Sequence, residues 1–264
     1  MKAVILAAGY GTRLEKELAD LKESSPKKYS ILRPIVEGIA KPMINVAGKP
    51  IVQHTVENIE RTDADKIFIV TNNRYHRQFE EWKDSYNSRI PLKLINDRTN
   101  TNDERLGAVY DLLLVLKQEA IEDDTLVIAG DNLLKLDLRD LVGFFNEVQT
   151  SIVVAYREKD RDRIKRSACV EFDDNHLVIS FEEKPKNPRS DWICPAIYLY
   201  SADTIKLIKE MKFDHDKRDF IGNIPMLLYS RIHIHAFARE DKIRFDIGTL
   251  EELAQAESYF RGAR

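Results

Sequence analysis

The run Leu6-Ala7-Ala8-Gly9-Tyr10-Gly11-Thr12-Arg13 combines the residue types that a polyphosphate needs. Glycines at 9 and 11 let the main chain approach a bulky anion and turn N–H groups toward it. Thr12 adds a hydroxyl and Arg13 a planar guanidinium fork suited to phosphate oxygens. Two common phosphate loops are absent: the dinucleotide fingerprint requires a small residue where Leu14 stands, and the Walker A loop requires Gly-Lys-Ser/Thr. A second chemical group, Asp131, follows directly on the apolar run 124–130. An ionised aspartate there is costly to bury unpaired, so it either caps the next helix or meets a cation beside the phosphate loop. Mg2+, which takes hard oxygen ligands at about 2.1 Å from one or two carboxylates plus substrate phosphates, suits the second reading.

Bringing a phosphate loop and a carboxylate to one edge requires a sheet whose strands end on the same side. The apolar run ending at Leu6 reads as a buried parallel strand, and 66–71, 91–96 and 124–130 read as further strands. Helical segments are expected over 51–61, 75–86, 106–117 and 136–148. This alternation predicts an α/β fold, a three-layer α/β/α sandwich with a Rossmann-like, mostly parallel mixed sheet. Beyond it, 152–156 reads as a strand and 157–165 as a solvated mixed-charge connection. The segments 168–172 and 177–181 read as a hairpin, 193–200 and 232–237 as strands, and 201–211 and 220–229 as helices. Thr249 is expected to cap a last helix with Glu251 and Glu252 in its first turn. The stretch 15–40 reads as a charged, mobile loop with a helical turn or two over 15–23, broken at Ser24-Ser25-Pro26.

At 264 residues the chain can bury a full α/β core, read here as a single domain over 1–264. Its 41 basic and 44 acidic residues give a net charge of −3, which provides no field for nucleic acid or an anionic membrane. No signal leader or membrane span is expected, and two cysteines, Cys169 and Cys194, suggest reduced thiols in a cytoplasmic protein. His233 and His235 alternate on one strand, but two ligands without a third do not argue for a metal centre. The sequence leaves homo-oligomerisation open.

The longer string Leu-Ala-Ala-Gly-x-Gly-Thr-Arg-Leu over 6–14, followed by Lys41-Pro42-Met43 and Gly48-Lys49-Pro50, closely resembles the signature of the sugar-1-phosphate nucleotidyltransferases, such as glucose-1-phosphate thymidylyl- and uridylyltransferases. Gly130-Asp131-Asn132, Glu182-Glu183-Lys184-Pro185 and Asp246-x-Gly248-Thr249 match further motifs of that family. The resemblance implies nucleotide binding by Leu6, Ala7, Ala8, Gly9, Gly11, Thr12, Arg13, Lys41, Gly107 and Asp131, with Arg13, Lys41 and Asp131 catalytic. Lys41 is taken over the competing Pro26-Lys27-Lys28 because 41–50 continues in the family's register. Mg2+ would sit between Asp131 and Asp246, and the sugar phosphate would meet Glu183, Lys184 and Tyr198. A carboxylate accepts from vicinal hydroxyls and an ammonium supports a phosphate dianion.

On this resemblance the nucleotide part is roughly 1–135 and the sugar-phosphate part roughly 136–264. The implied reaction is transfer of a nucleoside monophosphate from a nucleoside triphosphate to a sugar 1-phosphate by in-line attack at the α-phosphorus. Glu104-Arg105 stands where the family commonly has a proline, and Ala196 where it often has a glycine, which leaves the base and the sugar open. Two rivals remain. One is a phosphocholine or other small-alcohol phosphate cytidylyltransferase, with Trp192 and Tyr198 as an aromatic cage. The other is a non-catalytic regulatory subunit that binds sugar nucleotides.

Overall fold

The computed structural model describes residues 1–262. Strand β1 (Lys2–Leu6) is followed by helices α1 (Thr12–Ser24) and α2 (Pro26–Val36), a hairpin of β2 (Asn45–Val46) and β3 (Lys49–Pro50), and α3 (Ile51–Ile59). Alternation then continues through β4 (Lys66–Thr71), α4 (His76–Ser85), β5 (Leu92–Asn96), α5 (Ala108–Gln118) and β6 (Thr125–Ala129). Short β7 (Asn132–Leu134) leads to α6 (Leu138–Val148), β8 (Ser151–Arg157), α7 (Arg161–Lys165), and the hairpin of β9 (Ala168–Phe172) and β10 (Val178–Glu183). The chain closes with β11 (Trp192–Cys194), β12 (Ile197–Tyr200), α8 (Ala202–Glu210), α9 (Asn223–Leu228), β13 (Ile234–Arg239), β14 (Arg244–Asp246) and α10 (Leu250–Gly262).

Ten strands form one mixed sheet in the order β10-β9-β11-β8-β12-β6-β1-β4-β5, with β13 also on β8. The strands β5, β4, β1 and β6 are parallel, as expected for runs that are apolar on both faces, and β13 joins β8 in parallel. Antiparallel pairing takes over where β12 meets β6. Side chains alternate across the sheet. Ala3, Ile5, Ile67, Ile69 and Ile128 pack on one face under α3, α4 and α6, while Val4, Phe68, Val70 and Val127 pack on the other under α5, α8 and α9. Two buried layers against one sheet make the three-layer sandwich. Among the described residues, no helix is long and apolar enough to cross a membrane.

The stretch 15–40 departs from the mobile loop expected for it. The break at Ser24-Ser25-Pro26 is real, but Pro26 occupies the first turn of α2, where its missing N–H costs nothing, so the chain re-enters a helix at once. Leu14, Leu18 and Val36 are buried in a third apolar cluster with Leu133, Phe245, Leu253 and Ala256. These covering residues come from β7, β14 and α10, and α10 is further tied down by the Leu250 N–H donating to Glu17 at 3.1 Å. The mixed-charge connection 157–165 likewise contains helix α7, capped by Asp160 and anchored by buried Ile164. The strand expected over 193–200 is split at Pro195-Ala196 into β11 and β12, which pair with different parts of β8.

Candidate active site

The phosphate turn leaves β1 at its carboxyl end and enters α1 through Gly11, whose φ of 66° is left-handed and accommodates glycine without strain. The first turn of α1 therefore opens onto the cavity with N–H groups that have no intrahelical partner. Beside it, Gly130 donates its N–H to the Leu6 carbonyl at 2.8 Å. A Cβ at Gly130 would come within 2.9 Å of the Ala7 methyl, so glycine lets Asp131 emerge next to the turn. The resulting cavity, about 300 Å³, is lined by Leu6, Ala7, Ala8, Gly9, Gly11, Thr12, Arg13, Lys41, Gly107 and Asp131, every one of the expected nucleotide residues. Arg105, Ala108, Asp111, Asp219, Ile221 and Gly248 are also part of the wall.

Asp131 caps no helix; α6 is capped by Asp137. The Asp131 Oδ2 instead accepts from the Lys41 ammonium at 2.7 Å, and the Asp246 Oδ1 lies 3.8 Å from the same nitrogen. What brings Asp246 there is the antiparallel ribbon of β7 and β14, in which Asp246 is paired with Asn132, the residue after Asp131. Arg244, nearly buried, holds the Asp246 Oδ2 at 3.3 Å and donates to the Asn132 side chain. Burial pushes the Asp246 carboxyl up, but Arg244, Lys41 and Arg13 outweigh it and hold the group at about 2. Two carboxylates thus converge on one cation position, now taken by an ammonium, and their hard oxygens suit a divalent ion. Among the described residues no set of three or more His, Cys, Asp or Glu offers a denser metal site, and His235 pairs with Thr150 at 2.6 Å.

A wider cleft of about 960 Å³ shares Thr12, Arg13, Arg105, Asp219 and Gly248 with the first cavity and adds Lys184, Phe220, Arg244 and Asp246. Lys184 follows β10 with φ of 49°, and its ammonium lies 3.4 Å above the Phe220 ring. Burial lowers the Lys184 pKa, against the pull of Glu183. The Glu183 carboxylate packs against Gly222, where any Cβ would overlap its Oε2. Burial pushes Glu183 up to about 7, and the neighbouring Lys184 only partly offsets this. Arg13 spans the two spaces: it is exposed, forms no ion pair among the described residues, and would stand 3.7 Å from a Cβ on Gly248. The turn carrying Gly248 is closed by a reciprocal cap, with the Glu252 N–H donating to Thr249 Oγ1 at 3.2 Å and the Gly248 N–H to Glu252 Oε2 at 2.9 Å.

Two expected sugar contacts line neither space: Glu183, whose carboxylate packs against Gly222, and Tyr198. Tyr198 is 1% exposed, stacks on Tyr200, and lies in β12 between β6 and β8, so its ring is core beneath the cleft. The aromatic cage considered with it fails for the same reason, and the face of Trp192 is already covered by the Arg157 guanidinium at 4.9 Å. Residues not anticipated are Asp111, the Arg105–Asp219 pair, Gly222 and Arg244. The one local signal was Asp111 itself, an acid set among Val109, Leu112, Leu113, Val115 and Leu116 on a buried helix.

Comparison with known proteins adds a lineage to this geometry. The family model described as nucleotidyl transferase matches residues 30–261. The UTP–glucose-1-phosphate uridylyltransferase of Haloferax volcanii is 26% identical over 258 residues, covering 97% of this chain and 95% of that one. Among solved structures, a putative glucose-1-phosphate thymidylyltransferase from Bacillus anthracis superposes with a TM-score of 0.77 at 23% identity, covering 99% of this chain and 95% of that one. A CTP:phosphocholine cytidylyltransferase from Streptococcus pneumoniae reaches 0.70 at 20% identity, with 98% of each chain covered.

Proposed function

This chain belongs to the nucleotidyl transferase family, and we propose that it transfers a nucleoside monophosphate from a nucleoside triphosphate to a sugar 1-phosphate, releasing pyrophosphate and an NDP-sugar. The observation that carries the reading is the meeting of Arg13, Lys41 and Asp131 at a cavity that continues past Arg13 into the cleft lined by Lys184 and Asp246, with Asp246 3.8 Å from the Lys41 ammonium. In this reading the part over roughly 1–135 seats the triphosphate and the part over roughly 136–264 the acceptor, with Asp219 and Gly248 reaching across to line the first cavity.

In the reaction, a phosphate oxygen of the sugar phosphate attacks the α-phosphorus in line. The bond from that phosphorus to the bridging oxygen breaks, and its electrons leave with pyrophosphate. The attacking oxygen is already ionised at neutral pH, so no general base is required, and the protein supplies position and charge. Arg13, free to turn toward either space, opposes the charge that builds on the α-phosphoryl oxygens. Lys41 neutralises the polyphosphate and keeps Asp131 and Asp246 together. Lys184 seats the acceptor phosphate, and Glu183 accepts from sugar hydroxyls. Mg2+ bound by Asp131 and Asp246 would supply further charge neutralisation on the triphosphate.

A phosphocholine acceptor is the poorer fit, because the chain lacks the cage that Trp192 and Tyr198 would have formed, and a quaternary ammonium would meet Lys184 and Arg13. The test is pyrophosphate release across five nucleoside triphosphates and several phosphorylated acceptors, first with Mg2+ and then with EDTA. Turnover with a sugar 1-phosphate and loss on chelation are expected. No turnover with any pair would turn the reading to a regulatory binder, and activity surviving the chelator would remove the metal from it.

A further inference from the structure

We infer that the Asp111 carboxyl is the group that reads the nucleobase of the bound triphosphate, an inference that rests on the function proposed above. Asp111 is 6% exposed, yet it lines the first cavity, and its Oδ1 has no hydrogen-bond partner among the described residues. The rest of the buried face of α5 is apolar. A polar atom left unmet in such a place costs stability unless a ligand satisfies it.

The position of Asp111 is built. Gly107, at φ of 90°, packs so closely that a Cβ would lie 2.6 Å from the Arg218 carbonyl, and the Val109 N–H donates to that carbonyl at 2.9 Å. The segment 218–219 is held in turn by Arg105, which grips Asp219 with two hydrogen bonds of 3.0 and 2.6 Å. The first turn of α5 is thus fixed to one end of the cavity. Arg13, Lys41 and Asp246 act on one another at the triphosphate end, whereas the charges acting on Asp111 are Asp97 and Asp219. Leu6, Ala108 and Ile221, which line the same cavity as Asp111, supply the apolar walls a flat base requires.

The surroundings also decide which edge is read. Burial first, then the acidic neighbours Asp97 and Asp219, push the Asp111 pKa well above the usual carboxylate range, while Arg105, which lines the same cavity, is already committed to Asp219. An un-ionised carboxyl offers one donor and one acceptor. It matches an edge of the same kind, such as N3–H with O4 of uracil or thymine, or N3 with the amino group of cytosine. An ionised carboxylate would accept from the two neighbouring donors of guanine instead.

Equilibrium binding of UTP, dTTP, CTP, ATP and GTP by calorimetry, without acceptor, tests this in the wild type, Asp111→Asn and Asp111→Ala. Thermal midpoints are recorded without nucleotide. Asp111→Ala should weaken the preferred triphosphate by about 10- to 100-fold and narrow the spread among bases, whereas Asp111→Asn, which keeps one donor and one acceptor, should hold the preference within about 3-fold. Both variants should melt at or above the wild-type temperature, since each removes a buried acid with no partner in the free protein. An unchanged spread in Asp111→Ala overturns the inference, as does a lowered midpoint with the spread intact. A wild-type preference for GTP that Asp111→Asn abolishes overturns the un-ionised pairing. Base-selective binding without pyrophosphate release would refute the proposed reaction while leaving the reader of the base in place.

Discussion

Replacing Glu183 by glutamine separates the electrostatic cost of the acceptor pocket from its shape. The carboxylate is wedged against Gly222 and its pKa is raised by burial from 4.5 to about 7, with Lys184 only partly opposing. In the window between those values the native state holds a proton that the unfolded chain has released, so stability falls as pH rises through it. The rise corresponds to about 3 kcal/mol once Glu183 is fully ionised. Glutamine has the same shape and does not titrate. Urea unfolding of both proteins should therefore give nearly equal stability near pH 4 and a lead for Glu183→Gln that grows to about 3 kcal/mol by pH 8. In activity the sign reverses, because sugar hydroxyls donate to the ionised form: the acceptor KM of the wild type should fall as pH rises through about 7, and that of the variant should stay flat. Stability curves that run parallel for the two proteins from pH 4 to 8 would refute the assignment of a raised pKa and the pocket chemistry built on it.

Arg13→Ala should lower kcat by about 10²-fold, as for loss of one preorganised donor to a developing oxyanion, and near wild-type pyrophosphate release would remove Arg13 from the mechanism. Gly222→Ala tests the packing around Glu183: φ there is −64°, ordinary for any residue, so the whole effect is the methyl meeting Oε2. The acceptor KM should rise by about tenfold with triphosphate affinity unchanged, and equal effects on both substrates would count against the separation of the two spaces. Asp131→Asn removes one of the two converging carboxylates, and its Mg2+ titration should shift to higher concentration by about tenfold or more; an unshifted titration would place the ion elsewhere.

The phosphate turn and the strand–helix alternation were legible because each depends on spacing within a few residues, where backbone sterics and apolar period act directly, whereas Lys41 was singled out only by the family resemblance. Gly11 must be left-handed for α1 to begin where it does, and an apolar run flanked by small residues is a buried strand in any order of neighbours. Other features depend on partners far along the chain. The helices over 15–40 bury Leu14, Leu18 and Val36 only because α10 and the β7–β14 ribbon cover them, and that ribbon alone sets Asp246 beside Asp131. Tyr198 carries a motif's residue type on the core side of its strand, since the pairing of β12 between β6 and β8 decides which way the ring faces. Asp111 carries no meaning in the helical spacing of α5 by itself; its place in the cavity wall follows from Gly107 packing on the segment 218–219. Local order thus wrote the chemistry that the chain carries, and long-range packing chose which of those groups meet.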